Sequence, residues 1–113
     1  MAEQGADAAQ FSEGFMKKFD NHGSVDRLYD VILSLGSREE CRAFFDDVCT
    51  IKEITDMAQR LDTAFLIDEG LSYQAISEKI GVSTATISRV SRCLNYGAGG
   101  YRAVIDRSKE DKA

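Results

Sequence analysis

Residues 83–92 read STATISRVSR, a run of small hydroxyl and basic side chains where a buried helix would carry bulk. Drawn as a helix, Thr84, Ala85, Ser88, Arg89 and Arg92 fall on one side. Short side chains let a helix backbone sink into the roughly 12 Å wide major groove of DNA, where arginines meet base edges and phosphates. The amides of Ser83 and Thr84, at the positive end of the helix dipole, suit a phosphate, and Thr86 completes the hydroxyl-rich start. Tyr73 and Gln74 would hold the DNA backbone from the start of the preceding helix, and Lys79 near its end adds charge.

Such residues read DNA only if two helices hold them at a fixed angle. Ile76 and Ile80 stand one turn apart, Gly81 permits a left-handed turn residue, and Val82 plugs the angle. Ser83 then caps a new helix whose Ile87, Val90 and Leu94 face back. Two helices crossing steeply around one apolar wedge form a helix-turn-helix, over about residues 72–95.

The remaining pattern is also helical. Residues 1–10 are small and polar and are expected to be a disordered tail, leaving 11–113 as a single helical domain. Phe11, Phe15 and Phe19 have the spacing of a short amphipathic helix. Val25, Leu28, Val31, Ile32 and Leu35 form the stripe of a second, expected to start at a Ser24 cap and stop at Gly36. Two capping boxes follow, Ser37 with Glu40 and Thr50 with Glu53. The first opens a helix with Cys41, Phe44, Phe45 and Val48 inward. The second opens a long helix with Ile54, Met57, Ala58, Leu61, Phe65 and Leu66 as its face and Gly70 as its stop. The glycines from Gly97 to Gly100 end the recognition helix and precede a last one near Tyr101 to Arg107; without a following Lys and Ser/Thr they are no phosphate-binding loop. An all-α, multi-helix domain of five to six helices is expected.

Composition bounds the function. The chain has 113 residues, no proline, and a net charge of −5. That charge is uneven: from Leu71 to Arg102, Lys79, Arg89, Arg92 and Arg102 face a single acid, Glu78, so this segment is net +3 and the rest carries −8. A basic patch on an acidic body docks on phosphate while the body discourages indiscriminate binding. Cys41, Cys49 and Cys93 form no C-x-x-C pair, which argues against a disulfide framework or zinc site and for a reducing cytoplasm. Cys93 reads as a small core residue, His22 as a surface residue in a polar turn, and Asp46 with Asp47 as a solvated edge. The amino end has neither basic residues nor an apolar segment, so no signal peptide is expected, and no apolar run approaches the ~20 residues of a membrane span. No nucleophile with a base, metal cluster or carboxylate pair is legible, so neither an enzyme nor a bound cofactor is expected.

The stretch LSYQAISEKIGVSTATISRVSRCLNYGAGGY, with the preceding EITDMAQRLDTAFLIDEG, resembles the tryptophan-repressor-related proteins of the YerC/YecD type, over roughly Leu28 to Arg107. The resemblance implies a transcriptional regulator whose helices interlock into an intertwined homodimer, with an effector pocket beside the recognition helix. In the tryptophan repressor that pocket holds L-tryptophan. Arg89 matches the arginine that packs on the indole, Val90 stands where the repressor has glycine, and Cys93 where it has serine. The second ligand arginine falls at Gln59 or Arg60. A valine at position 90 occupies space an indole needs, so tryptophan is not the expected effector. Double-stranded DNA and a second copy of the chain are the expected partners, with no membrane; a helical interaction module that no longer reads DNA is the alternative.

Overall fold

The computed structural model describes residues 23–112, so the tail at 1–10, the Phe11, Phe15 and Phe19 helix and His22 lie outside the described residues. The described residues form six helices and no strand: α1 (Ser24–Ser34), α2 (Arg38–Val48), α3 (Ile51–Asp68), α4 (Tyr73–Ile80), α5 (Thr84–Tyr96) and α6 (Gly100–Lys112). They fall into two compact units, one running to Val48 and one starting at Cys49.

In the first unit, α1 does not start at a serine cap. Gly23 is the N-cap and carries no side-chain bond, while Ser24 is already helical. The helix ends at Ser34 with Leu35 as its C-cap, just short of the expected Gly36. Before α2 the Ser37 Oγ accepts the Glu40 amide at 3.1 Å, but the Glu40 carboxylate reaches one residue further back, taking the Gly36 amide at 2.7 Å. The capping box is thus displaced by one residue. Phe44 and Phe45 meet edge to face, centroids 5.3 Å apart. Neither helix buries a residue. Cys41 and Val48, expected inward, are exposed, because two eleven-residue helices have too little surface to enclose their own stripes.

In the second unit, the Thr50 hydroxyl accepts the Glu53 amide (3.0 Å) and the Glu53 carboxylate accepts the Thr50 amide (2.8 Å), a complete capping box that starts α3. The helix closes through paired bonds from the Gly70 amide to the Ile67 carbonyl and from the Leu71 amide to the Leu66 carbonyl. Leu71 then packs against the core cluster that contains Leu66, as apolar residues after this type of C-terminus do.

The core has two clusters. Leu66, Ile76, Val82 and Ile87 form one, with Ile67, Leu71 and Ile80 against it. Ala64, Val90 and Ile105 form the other, with Phe65, Leu94 and Tyr101 alongside. The apolar wedge expected within the helix-turn-helix is therefore divided: Ile76, Ile80, Val82 and Ile87 close the turn, whereas Val90 and Leu94 fasten α5 to α3 and α6.

The buried face of α3 is only partly the one expected: Leu66 is buried and Phe65 packs against the core as expected, but Met57 and Leu61 do not. Thr63, Ala64 and Leu66 are buried, while Met57 and Leu61 are 38% and 40% exposed. At 3.6 residues per turn, Ile54, Met57, Ala58, Leu61 and Phe65 run along one side and Thr63 and Ile67 along the opposite one. The helix-turn-helix takes the second side. A threonine serves there as an apolar residue because its hydroxyl donates to the Gln59 carbonyl at 2.7 Å, leaving no unpaired group in the core.

Finally, α6 extends five residues beyond the expected Arg107. An early and a late turn are both tied down: Arg102 and Lys109 donate to the two carboxylate oxygens of Asp68, at 2.7 and 2.8 Å. These two cations, Lys109 first, hold the Asp68 carboxyl below its usual value.

Candidate DNA interface and the adjoining recess

Ser72 caps α4 by accepting the Ala75 amide at 3.1 Å, and α4 ends at Gly81 in the left-handed conformation, φ 75°. That backbone suits glycine, and it turns the chain so that Val82, 6% exposed, plugs the corner. Ser83 restarts the helix by accepting the Thr86 amide at 3.1 Å. Its Oγ also donates to the Thr86 Oγ1 at 3.1 Å, so both hydroxyls are engaged in shaping the helix start. The predicted helix-turn-helix is present, capped and turned by the residues expected to do so.

From α5, Ile87 and Val90 point inward at 0% and 1% exposure. Thr84, Ala85, Ser88, Arg89 and Arg92 are exposed, as are Ser83, Tyr73, Gln74 and Lys79, and Thr86 is half-buried. The outer face is thus made of the short and basic side chains singled out from the sequence. Gln74 donates to Glu78 at 3.2 Å, which orients its amide and shields the single acid of this segment. Of the four cations counted there, Arg102 does not belong to this face: it is bound to Asp68 and lies 3.6 Å from Asp106. Lys79, Arg89 and Arg92 remain as the exposed cations of this face.

The five candidate effector residues do not share one pocket. Gln59, Arg60 and Arg89 line a recess of about 230 Å³ between α3 and α5, together with Lys52, Asp56 and Thr86. Val90 is absent from that lining, because as an inward residue of α5 it packs on Ala64 and Ile105. Cys93 is exposed rather than in the core, and lines a different, open cavity of about 410 Å³ with the Gly97 to Tyr101 segment. Gly97 caps α5 there, where a Cβ would overlap the Cys93 carbonyl. Lys52 and Asp56 were not recognised in the sequence as pocket residues. Their spacing signals only a surface ion pair, which they form at 2.8 Å.

Among the described residues, six helices with a capped helix-turn-helix and a basic outer face define an all-α helix-turn-helix protein. The family model described as Trp repressor protein matches residues 23–109, and the chain belongs to that family of helix-turn-helix DNA-binding regulators. It is 55% identical over 86 residues to the uncharacterized protein YerC of Bacillus subtilis (strain 168), covering 76% of this chain and 83% of YerC. The solved TrpR-like protein from Eubacterium eligens ATCC 27750 superposes with a TM-score of 0.75 at 47% identity, over 79% of this chain and 92% of that one. A second solved chain, from Staphylococcus aureus, gives 0.74 at 45% identity, over 83% and 93%. The resemblance read from the sequence is borne out. Among the described residues no helix is long and apolar enough to cross a membrane.

Proposed function

We propose that this chain is a sequence-specific transcriptional regulator that docks α5 in the major groove and acts as a homodimer in the cytoplasm. The observation that carries the proposal is the division of α5: Ile87 and Val90 anchor it at 0% and 1% exposure, while Thr84, Ala85, Ser88, Arg89 and Arg92 face outward. Arg89 reads bases. Lys79 and Arg92 bind phosphates, and Tyr73, Gln74 and the amino end of α5 set the register. Dimerisation is supported by apolar side chains that the described residues leave open, Leu33 at 82% and Ile51 at 84% exposed among them. In this proposal L-tryptophan is not the effector.

Alanine variants test this by fluorescence anisotropy on specific and scrambled duplexes. Arg89→Ala loses discrimination, by about 1–3 kcal/mol. Lys79→Ala and Arg92→Ala weaken binding to all sequences alike, and each makes the slope of log K against log salt shallower by about 0.9. Equal losses on both duplexes for Arg89→Ala contradict its role. Partner binding that ignores salt favours the alternative, a helical interaction module.

A further inference from the structure

Asp68 is the last residue of α3, where the helix end already carries partial negative charge and an acid is unfavourable. Its side chain is 12% exposed, and both carboxylate oxygens are taken by α6, Oδ1 by Arg102 and Oδ2 by Lys109. An acid set against its own helix and bound to another owes its place to that other helix.

The hold is one that α6 needs. Among its described side chains only Ile105 is buried, with Tyr101 beside it against the core. The joint before it, Gly97 to Gly99, adds no residue to either core cluster. Apolar contact at one level leaves a helix free to roll and slide. Arg102 stands three residues before Ile105 and Lys109 four after it, on the same side of α6. One carboxylate therefore fastens α6 on either side of its apolar contact, at points about 10 Å apart along the axis, and fixes rotation and register together. Arg102 also lies 3.6 Å from Asp106 on its own helix.

The consequence reaches α5. Ile105 closes a cluster with Ala64 of α3 and Val90 of α5, one buried residue from each helix, with Leu94 alongside. Val90 follows Arg89 directly and lies two residues before Arg92. In a close-packed cluster the seat of Ile105 sets how the carboxyl half of α5 lies, and with it where the two arginines stand. Arg102 and Lys109 are 42% and 63% exposed, so their bonds add little to stability, and removing them lets α6 shift without unfolding.

We infer that Asp68 is a positioning residue for the recognition helix: by holding α6 at Arg102 and Lys109 it keeps Ile105 against Val90 and aims Arg89 and Arg92. The effect on DNA rests on the DNA-reading proposal; the seating of α5 does not.

The test compares Asp68→Asn, Lys109→Gln and the double variant with the wild-type full chain, at a temperature where circular dichroism shows all four folded. Without DNA, NMR follows the methyl groups of Val90 and Ile105. Both should move in each single variant, and in the double variant no further than in Asp68→Asn, since the two changes break one attachment. With DNA, discrimination between specific and scrambled duplexes should fall about fivefold in Asp68→Asn, with the salt slope unchanged. Unmoved methyl groups overturn the seating, and unchanged discrimination overturns the positioning role and leaves a contact that only stabilises. Tighter binding to both duplexes with a steeper salt slope overturns it as well, because Asp68 would then merely keep two cations from phosphate. A wild type that does not discriminate refutes the DNA reading instead, and the methyl resonances still decide the seating.

Discussion

The two compact units obey the same helical periodicity and reach opposite outcomes. In the second, Ile76, Ile87, Val90 and Ile105 are at most 1% exposed. In the first, α1 and α2 bury nothing, with Val25 at 60% and Val48 at 58% exposed. The difference is one of geometry rather than composition. A long helix crossed by three shorter ones encloses a core, whereas two short helices present stripes that a further surface must cover. The apparatus proposed to read DNA is thus built by one chain alone, and the stripes of the first unit fit a role in association.

The largest effect should come from breaking the self-sufficient unit. Ile87→Ala is expected to destabilise it by about 2–5 kcal/mol in urea denaturation, the usual loss for a fully buried isoleucine. Leu33→Glu, on the exposed face of α1 that Val25 and Tyr29 share, tests the other half of the comparison. It should weaken dimerisation at least tenfold in sedimentation, roughly 1.4 kcal/mol, with helix content unchanged. A variant that stays dimeric and loses folding stability instead would mean that the stripe closes within the chain.

Gly81→Ala should cost about 1–2 kcal/mol, the penalty for a side chain in the left-handed region, since no atom lies within 4 Å of the added methyl. Gly81→Asn should cost less. The smallest effect is pH-dependent. Asp68 has a lowered native pKa, so its contribution is fully present above the unfolded value of about 3.9 and fades as pH falls through the native one. The difference in Tm between wild type and Asp68→Asn should be constant near neutrality and shrink in acid.

Local signals made much of this legible. Ser72, Gly81 and Ser83 act over three or four residues, so the helix-turn-helix and its outer face could be read directly from the sequence. What periodicity could not settle was which of two faces of α3 the core would choose, because both carry apolar residues and the buried one includes a threonine. The displaced box at Gly36 was illegible for a related reason, since neighbouring amides can donate the same bond, and at Gly23 no side-chain bond marks the helix start. The Asp68 contacts to Arg102 and Lys109 join residues far apart in sequence and leave no local trace. In the same way, the recess depends on where α5 crosses α3, which brought Gln59, Arg60 and Arg89 together and left Val90 and Cys93 elsewhere.

The most direct measurement is selection of binding sites from a randomised DNA library by the purified full chain at near-physiological salt. Enrichment of a palindrome whose half-sites lie about one helical turn apart, roughly 34 Å, is the expected result. Recovery of no sequence above background by folded, dimeric protein would contradict DNA reading and leave the helix-turn-helix as a surface for another protein.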